Sequence, residues 1–91
     1  MVYLLHFDRR YWHAGHYVGW ARSAKTLPRR IHHHEIGQGA RLTAVVSAAG
    51  IGFQVARVWP DADRHFERRL KDQKHGPRLC PLCNPKLKEK S

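Results

Sequence analysis

Short apolar runs separated by polar segments predict three strands along the chain. The β-favouring run from Val2 to Phe7 is typical of a strand, and His16 to Trp20 predicts a second one. The segment between them, DRRYWHAG, is polar, aromatic and basic, so the two strands can form a hairpin with a long loop. A third strand is predicted from Phe53 to the residue before Pro60, and one of its faces carries Phe53, Val55, Arg57 and Trp59.

Helical periodicity predicts helices between and after these strands. Thr26 is a favoured N-cap and Pro28 suits a first turn, so a first helix is predicted to run to about Ile36 and to end at Gly37. Its apolar stripe is thin and consists of Leu27, Ile31 and His34.

Two further helices are predicted from apolar residues spaced three and four positions apart. The run from Leu42 to Ala49 predicts a short helix ended by Gly50, although a strand can also accommodate it. Asp61 is the predicted cap of a last helix, which Gly76-Pro77 ends and whose stripe consists of Ala62, Phe66 and Leu70.

Together these elements predict one α+β domain with the order β-β-α-α-β-α. We expect a three-stranded, mostly antiparallel sheet flanked by helices. A chain of 91 residues can bury one modest core but not two.

The charge balance narrows the class of function. The chain carries 17 Lys and Arg against 7 Asp and Glu, a formal net charge of +10 with its histidines neutral. Nucleic acid is the leading partner, because neutralised phosphates release counterions and so drive binding. A basic protein that is merely soluble or ribosomal is the alternative interpretation.

No segment predicts secretion or membrane insertion. The apolar start of the chain ends at His6 and Asp8, and no run approaches the ~20 apolar residues of a membrane span. The two cysteines share one CPLC segment, which is no disulfide framework. We therefore expect a cytoplasmic protein with reduced thiols and no membrane partner.

Several motifs in combination resemble those of the GIY-YIG endonuclease superfamily. They are Val2-Tyr3-Leu4, Tyr17-Val18-Gly19, the RRIHHH of residues 29–34, the GQGARLT of residues 37–43 and the Glu-x-x-x-Lys of residues 67–71. The resemblance implies a nuclease core over residues 1–76 with the same element order, followed by a CxxC-containing segment and basic tail over residues 77–91.

The chain departs from the motifs of that family in four places. Its first motif, Met1-Val2-Tyr3, lacks a glycine, and the spacer over residues 4–16 is longer than usual. Trp20 follows the second motif where some members carry lysine. Asn84 is the one candidate for the late asparagine of the family.

The resemblance implies a metal-dependent endonuclease that hydrolyses phosphodiester bonds of DNA. Glu67 would hold one Mg²⁺ or Mn²⁺, and Arg30 would bind the scissile phosphate. Tyr17 or Tyr3 would activate the attacking water. His34, one helical turn after Arg30, would relay a proton or bond the phosphate.

A structural role is the alternative for each of these residues. Tyr3 and Tyr17 also suit half-buried strand positions, and Arg30 suits a solvated surface. Glu67 can simply form an i, i+4 ion pair with Lys71, worth about 0.3–0.5 kcal/mol.

Further basic and aromatic residues are candidates for substrate binding. Arg9, Arg10 and Trp12 combine cations with a flat ring, which suits phosphate contact and base stacking, although a packed loop is an equal alternative. The resemblance adds Gly19, which would let the backbone approach the substrate. The other candidates are Arg41 and Lys71.

The CPLC segment offers two ligands with the spacing of a zinc site. Cys80 and Cys83 would need two more ligands, and His75 is the predicted third, with His65 or a second chain as the fourth. Reduced packing cysteines and a redox pair are the alternatives.

The sequence therefore predicts a small endonuclease acting on DNA with Mg²⁺ or Mn²⁺, with Zn²⁺ as a second candidate ion. The choice between DNA and RNA stays open, as do single-stranded, branched and duplex substrates and the oligomeric state. A non-cleaving nucleic-acid-binding protein of the same fold and a small zinc-stabilised interaction module are the alternatives.

Overall fold

The computed structural model describes residues 1–73 and 76–84. Its strands are β1 (Val2–Tyr11), β2 (Ala14–Trp20) and β3 (Phe53–Trp59). Its helices are α1 (Leu27–Glu35), α2 (Arg41–Ala48), α3 (Arg64–Gln73) and the short α4 (Gly76–Leu79). The predicted α+β class and β-β-α-α-β-α order are confirmed, and α4 adds one helical turn at the end.

The sheet is antiparallel throughout, and its strand order is β2-β1-β3. β1 is the central strand, and other parts of the chain cover both of its faces. All side chains from Val2 to Leu5 are therefore fully buried, which explains their continuous apolar character.

The hairpin between β1 and β2 differs from its prediction. The prediction of a long loop is wrong, because β1 continues to Tyr11 and β2 begins at Ala14. Only Trp12 and His13 are left to form the turn. Trp12 adopts a left-handed backbone conformation, with φ of 57°. Pairing with β3 stops at Phe7, beyond which the Asp8 N–H donates to the Gly52 carbonyl and Tyr11 pairs with Ala14 of β2.

The first face of the sheet forms the main core. Tyr3, Leu5 and Phe7 alternate along β1 and pack with Val46 of α2 and Ile51 beyond it. Leu27 and Ile31 of α1 pack against this cluster, as their predicted stripe requires.

The second face is covered by the end of the described chain. Arg57 lies opposite Leu4 and donates a hydrogen bond of 3.3 Å to the Leu79 carbonyl. On the same face the His6 ring contacts Cys80, which is fully buried. Residues 76–84 are therefore part of the fold.

The prediction that Arg57 and Trp59 share a face of β3 with Phe53 and Val55 is wrong. Val55 lies opposite Leu5, but the register then shifts by one residue, so that Val58 lies opposite Tyr3. This bulge turns Arg57 and Trp59 to the second face, away from Phe53 and Val55.

The helix boundaries agree with the predictions except at α3. Thr26 is the N-cap residue of α1, although its hydroxyl donates to the Ser23 carbonyl. The cap of α3 is Asp63, whose carboxylate accepts the Phe66 N–H at 3.0 Å. The predicted cap Asp61 is therefore wrong, and Ala62 of the predicted stripe precedes the helix.

Candidate functional site

An arginine-rich cleft lies between α1, the end of β2 and α3. Its volume is about 470 Å³, and the candidate residues Arg30 and Glu67 both line it. Glu67 is the only acid among its lining residues in the described part of the chain, against five arginines: Arg22, Arg29, Arg30, Arg64 and Arg68. We call this space the arginine cleft. Its charge suits an anion.

A buried hydrogen-bond chain runs behind the arginine cleft. Tyr3 and His34 are fully buried, and the Tyr3 hydroxyl lies 2.6 Å from Nε2 of His34. Nδ1 of His34 lies 2.8 Å from the Thr43 hydroxyl, which donates its proton to the Ala40 carbonyl at 2.9 Å. Thr43 must therefore accept from Nδ1–H, so Nε2 accepts the proton of Tyr3.

This chain narrows the role of His34. Both ring nitrogens are engaged inside the protein, so neither is free to bond a phosphate in this arrangement. Of its two predicted roles, the bond to the phosphate does not fit this arrangement, and the proton relay stays a prediction. The neighbouring histidines diverge, since His33 lines the arginine cleft and His32 is exposed.

Burial sets the protonation states of these groups. It raises the pKa of Tyr3 to about 12, Tyr17 adds to the rise, and the Arg30 guanidinium opposes it. Burial also raises the pKa of Tyr17, with a further contribution from Glu67. Burial lowers the pKa of His34 to about 4, and the Arg30 charge acts in the same direction. At neutral pH the phenols are protonated and the imidazole is neutral.

Lys71 connects Tyr17 to Glu67. Nζ of Lys71 lies 3.8 Å from the Glu67 carboxylate and 5.1 Å from the centre of the Tyr17 ring. Tyr17 and Lys71 line a second, more apolar groove of about 580 Å³. The Glu67–Lys71 ion pair thus joins the two cavities.

Two glycines leave room for the buried rings. A Cβ atom on Gly19 would collide with the Tyr3 ring, and one on Gly39 would collide with the His34 ring. The space beside Gly19 is therefore filled by the protein itself. Tyr3 lies directly opposite Gly19 in the β1–β2 pairing, so the YVG motif provides the space that the first tyrosine occupies.

The other substrate-binding candidates lie apart from the arginine cleft. Arg9 and Arg10 are strand residues, and Arg9 donates a hydrogen bond of 3.2 Å to the Ala49 carbonyl. Trp12 lies in the hairpin turn and is 82% exposed. Arg41 is the first residue of α2 and is exposed.

A separate cluster of metal-binding side chains lies on the second face of the sheet. We call His6, His16, Cys80 and Cys83 the cysteine–histidine cluster, since their ligand atoms all lie within 4.8 Å of one another. Nδ1 of His6 lies 3.3 Å from Nε2 of His16, 3.5 Å from Sγ of Cys80 and 3.6 Å from Sγ of Cys83. Nε2 of His16 lies 3.4 Å from Sγ of Cys83. These four residues could hold one metal ion.

The cysteines of this cluster were predicted, but its histidines were missed. The predicted third ligand, His75, lies outside the described residues. His6 and His16 supply the two nitrogen atoms, so neither His65 nor a second chain is needed. Both histidines lie in predicted strands, but only the hairpin register of the structure places His6 directly opposite His16.

Asn84 lies in the turn that carries these cysteines. Its side-chain amide donates a hydrogen bond of 3.3 Å to the Arg78 carbonyl, and its backbone N–H donates to the Cys80 carbonyl at 2.8 Å. These bonds hold Asn84 in the CPLC turn.

No family model, curated protein or solved structure matches the chain. The functional conclusion therefore depends on the geometry and chemistry of the two sites. None of the helices within residues 1–73 and 76–84 has the length and apolar character needed to cross a membrane.

Proposed function

We propose that the protein is a metal-dependent endonuclease of the GIY-YIG type that hydrolyses phosphodiester bonds of DNA. The observation that carries this proposal is that Arg30 and Glu67 line one cleft, while Lys71 connects Glu67 to Tyr17 in the neighbouring groove. The charges of Arg30 and Glu67 also act on the pKa values of Tyr3 and Tyr17. The +10 net charge supports a polyanionic substrate.

Arg30 is the proposed ligand of the scissile phosphate. Its Nε atom is buried and has no hydrogen-bond partner within the described part of the chain. A guanidinium can hold a phosphate in the cleft through two parallel bonds. The other four arginines of the cleft would hold the flanking phosphates.

Glu67 is the proposed ligand of Mg²⁺ or Mn²⁺. Its side chain is only 19% exposed, and it is the one carboxylate among the described residues that line the arginine cleft. This fits a hard ion that keeps several waters and binds one or two carboxylates plus substrate phosphate. When bound, such an ion polarises a phosphoryl oxygen and lowers the pKa of a bound water.

Tyr17 is the better placed of the two tyrosines to contact the attacking water. It is half-buried, whereas Tyr3 is fully buried and donates its proton to His34. With its raised pKa, Tyr17 acts first by hydrogen bonding, and a base role needs added positive charge beside it. Tyr3 and His34 position Arg30 and the end of the sheet around Tyr17.

We propose Zn²⁺ as the ion of the cysteine–histidine cluster, in a cytoplasmic protein whose thiols stay reduced. Thiolate and imidazole are the ligands that zinc prefers, whereas Mg²⁺ and Mn²⁺ prefer oxygen. The cluster also supports the second candidate function, a zinc-stabilised interaction module that does not cut DNA.

Cleavage of labelled single-stranded, duplex and forked DNA with Mg²⁺ or Mn²⁺ tests the nuclease. We expect Glu67→Gln to lose at least about 100-fold in rate while binding DNA within a few-fold of the wild type. Glu35→Gln is the matched control, since Glu35 is an exposed glutamate outside the cleft. Undiminished cutting by Glu67→Gln, or no cutting by the wild type, would overturn the proposal.

A non-cleaving binding protein is separated from the nuclease by the same assay. Binding without cleavage in either metal supports the binding protein. Binding that is unchanged between low and moderate salt argues against any nucleic acid partner, because phosphate contacts must weaken steeply with salt.

A further inference from the structure

In the cysteine–histidine cluster, four of the six distances between ligand atoms match the edges of a tetrahedral metal site, and the other two are no longer than 4.8 Å. With zinc bonds of about 2.05 Å to nitrogen and 2.3 Å to sulfur, the edges of a tetrahedron are about 3.3 Å for N···N and about 3.5 Å for N···S. The N···N distance in the cluster is 3.3 Å, and three N···S distances are 3.4–3.6 Å.

We propose that Zn²⁺ bound at this site is a structural clamp that fixes the C-terminal CPLC segment to the β1–β2 hairpin. The inference rests on the zinc assignment of the proposed function but not on nuclease activity. Two nitrogen and two sulfur ligands fill a tetrahedral site, which leaves no open position for water or substrate. The clamp is therefore distinct from the ion held by Glu67.

The clamp joins parts of the chain that are distant in sequence. His6 and His16 are cross-strand neighbours in the central sheet, while Cys80 and Cys83 follow α4. α4 has only four residues, and a helix of that length is not stable by itself. Fixing both cysteines on the two histidines holds this turn against β2.

Close packing around the cluster agrees with a fixed segment. Cys80 is fully buried, and a Cβ atom on Gly76 would collide with the His16 ring. The CPLC turn is closed by hydrogen bonds from the backbone of Cys83 and Asn84 to the Cys80 carbonyl, at 3.2 Å and 2.8 Å. Both sulfur atoms are thereby directed to the histidine pair.

Metal content of the purified full-length protein is the first test. We expect one zinc per chain, retained through gel filtration in Mg²⁺ buffer. Apo-protein titrated with Co²⁺ should give the intense visible bands of four-coordinate cobalt and a thiolate-to-cobalt charge-transfer band. Substoichiometric zinc, or the weak spectrum of six-coordinate Co²⁺, would overturn the site.

A matched pair of hairpin variants tests the ligands. His16→Asn should lose stoichiometric zinc, whereas His13→Asn, at the exposed turn of the same hairpin, should retain it. Full zinc content in His16→Asn would refute the ligand assignment. The Co²⁺ spectrum of the wild-type protein decides the matter independently if His16→Asn does not fold.

Hydrogen exchange tests the clamp itself. Removing zinc from the wild-type protein should accelerate exchange of the Cys80, Cys83 and Asn84 amides, either alone or as part of global unfolding. Unchanged exchange and an unchanged melting temperature would show that bound zinc clamps nothing. None of these measurements involves DNA, so they can succeed or fail separately from the nuclease assay.

Discussion

Tyr3 donates its hydroxyl proton to Nε2 of His34 across 2.6 Å, and both side chains are fully buried. The bond joins the first motif on β1 to the helix that carries Arg30. Because Thr43 holds the other ring nitrogen, the imidazole has one tautomer and one orientation. A polar chain this well satisfied fixes where α1 lies on the sheet, and hence where Arg30 enters the arginine cleft.

Replacing Tyr3 by phenylalanine should destabilise the protein by about 1–3 kcal/mol, because it leaves the buried Nε2 acceptor of His34 without its donor. Urea unfolding monitored by circular dichroism measures the loss. Tyr11→Phe, at a half-buried position of the same strand, is the control and should change stability by much less. Equal stability of the two variants would contradict the proposed bond.

The neutral His34 should make the protein sensitive to acid. Burial lowers its pKa from 6.5 to about 4, so between these values the unfolded chain binds a proton that the folded chain refuses. The free energy of unfolding should therefore fall as pH decreases from about 6.5 to about 4, by at most about 1.4 kcal/mol per pH unit from this group.

Denaturant unfolding across this pH range tests that slope. His34→Gln removes the titrating group while keeping a polar side chain, so its slope should be shallower than that of the wild type by the contribution of one proton. Parallel slopes would mean that the imidazole of His34 titrates normally in the folded protein.

Gly19 should not tolerate even a methyl group. A Cβ atom there would collide with the Tyr3 ring, and overpacking of this kind costs about 1–3 kcal/mol. We expect Gly19→Ala to lower the melting temperature and to raise the exposure of Tyr3. Gly15→Ala is the control on the same strand, where the nearest atom, Cγ of Arg10, lies at 3.6 Å. Identical melting of both variants would be inconsistent with the close contact.

Trp12 at the hairpin turn should contribute to binding of single-stranded DNA. Its ring is 82% exposed, so Trp12→Ala should leave stability unchanged. If a base stacks on the ring, affinity should fall by about 1–3 kcal/mol, roughly 5- to 150-fold. Fluorescence anisotropy with a labelled oligonucleotide measures this. Unaltered affinity would assign the tryptophan no part in binding.

Much of the fold followed from local pattern. The apolar run of β1, the helical spacing in α1 and α2, and the breaks at Gly37 and Gly50 were visible because they depend on neighbouring residues. The hairpin loop was misjudged because basic and aromatic side chains occupy an exposed strand as readily as a loop. The bulge in β3 could not be predicted, because the alternation of residues along the strand carries no sign of the interruption.

What the sequence determined by itself is the inventory: a basic chain, a β-β-α-α-β-α order, a CxxC pair and a set of tyrosine, arginine and glutamate residues in motif spacing. Only the tertiary structure decided how these residues meet. Strand register placed His6 opposite His16, and packing of the second face brought both to Cys80 and Cys83. Packing of α1 on the sheet brought Tyr3 and His34 together as a buried, hydrogen-bonded pair. Register and helix docking depend on contacts between residues far apart in the chain, which no local pattern specifies.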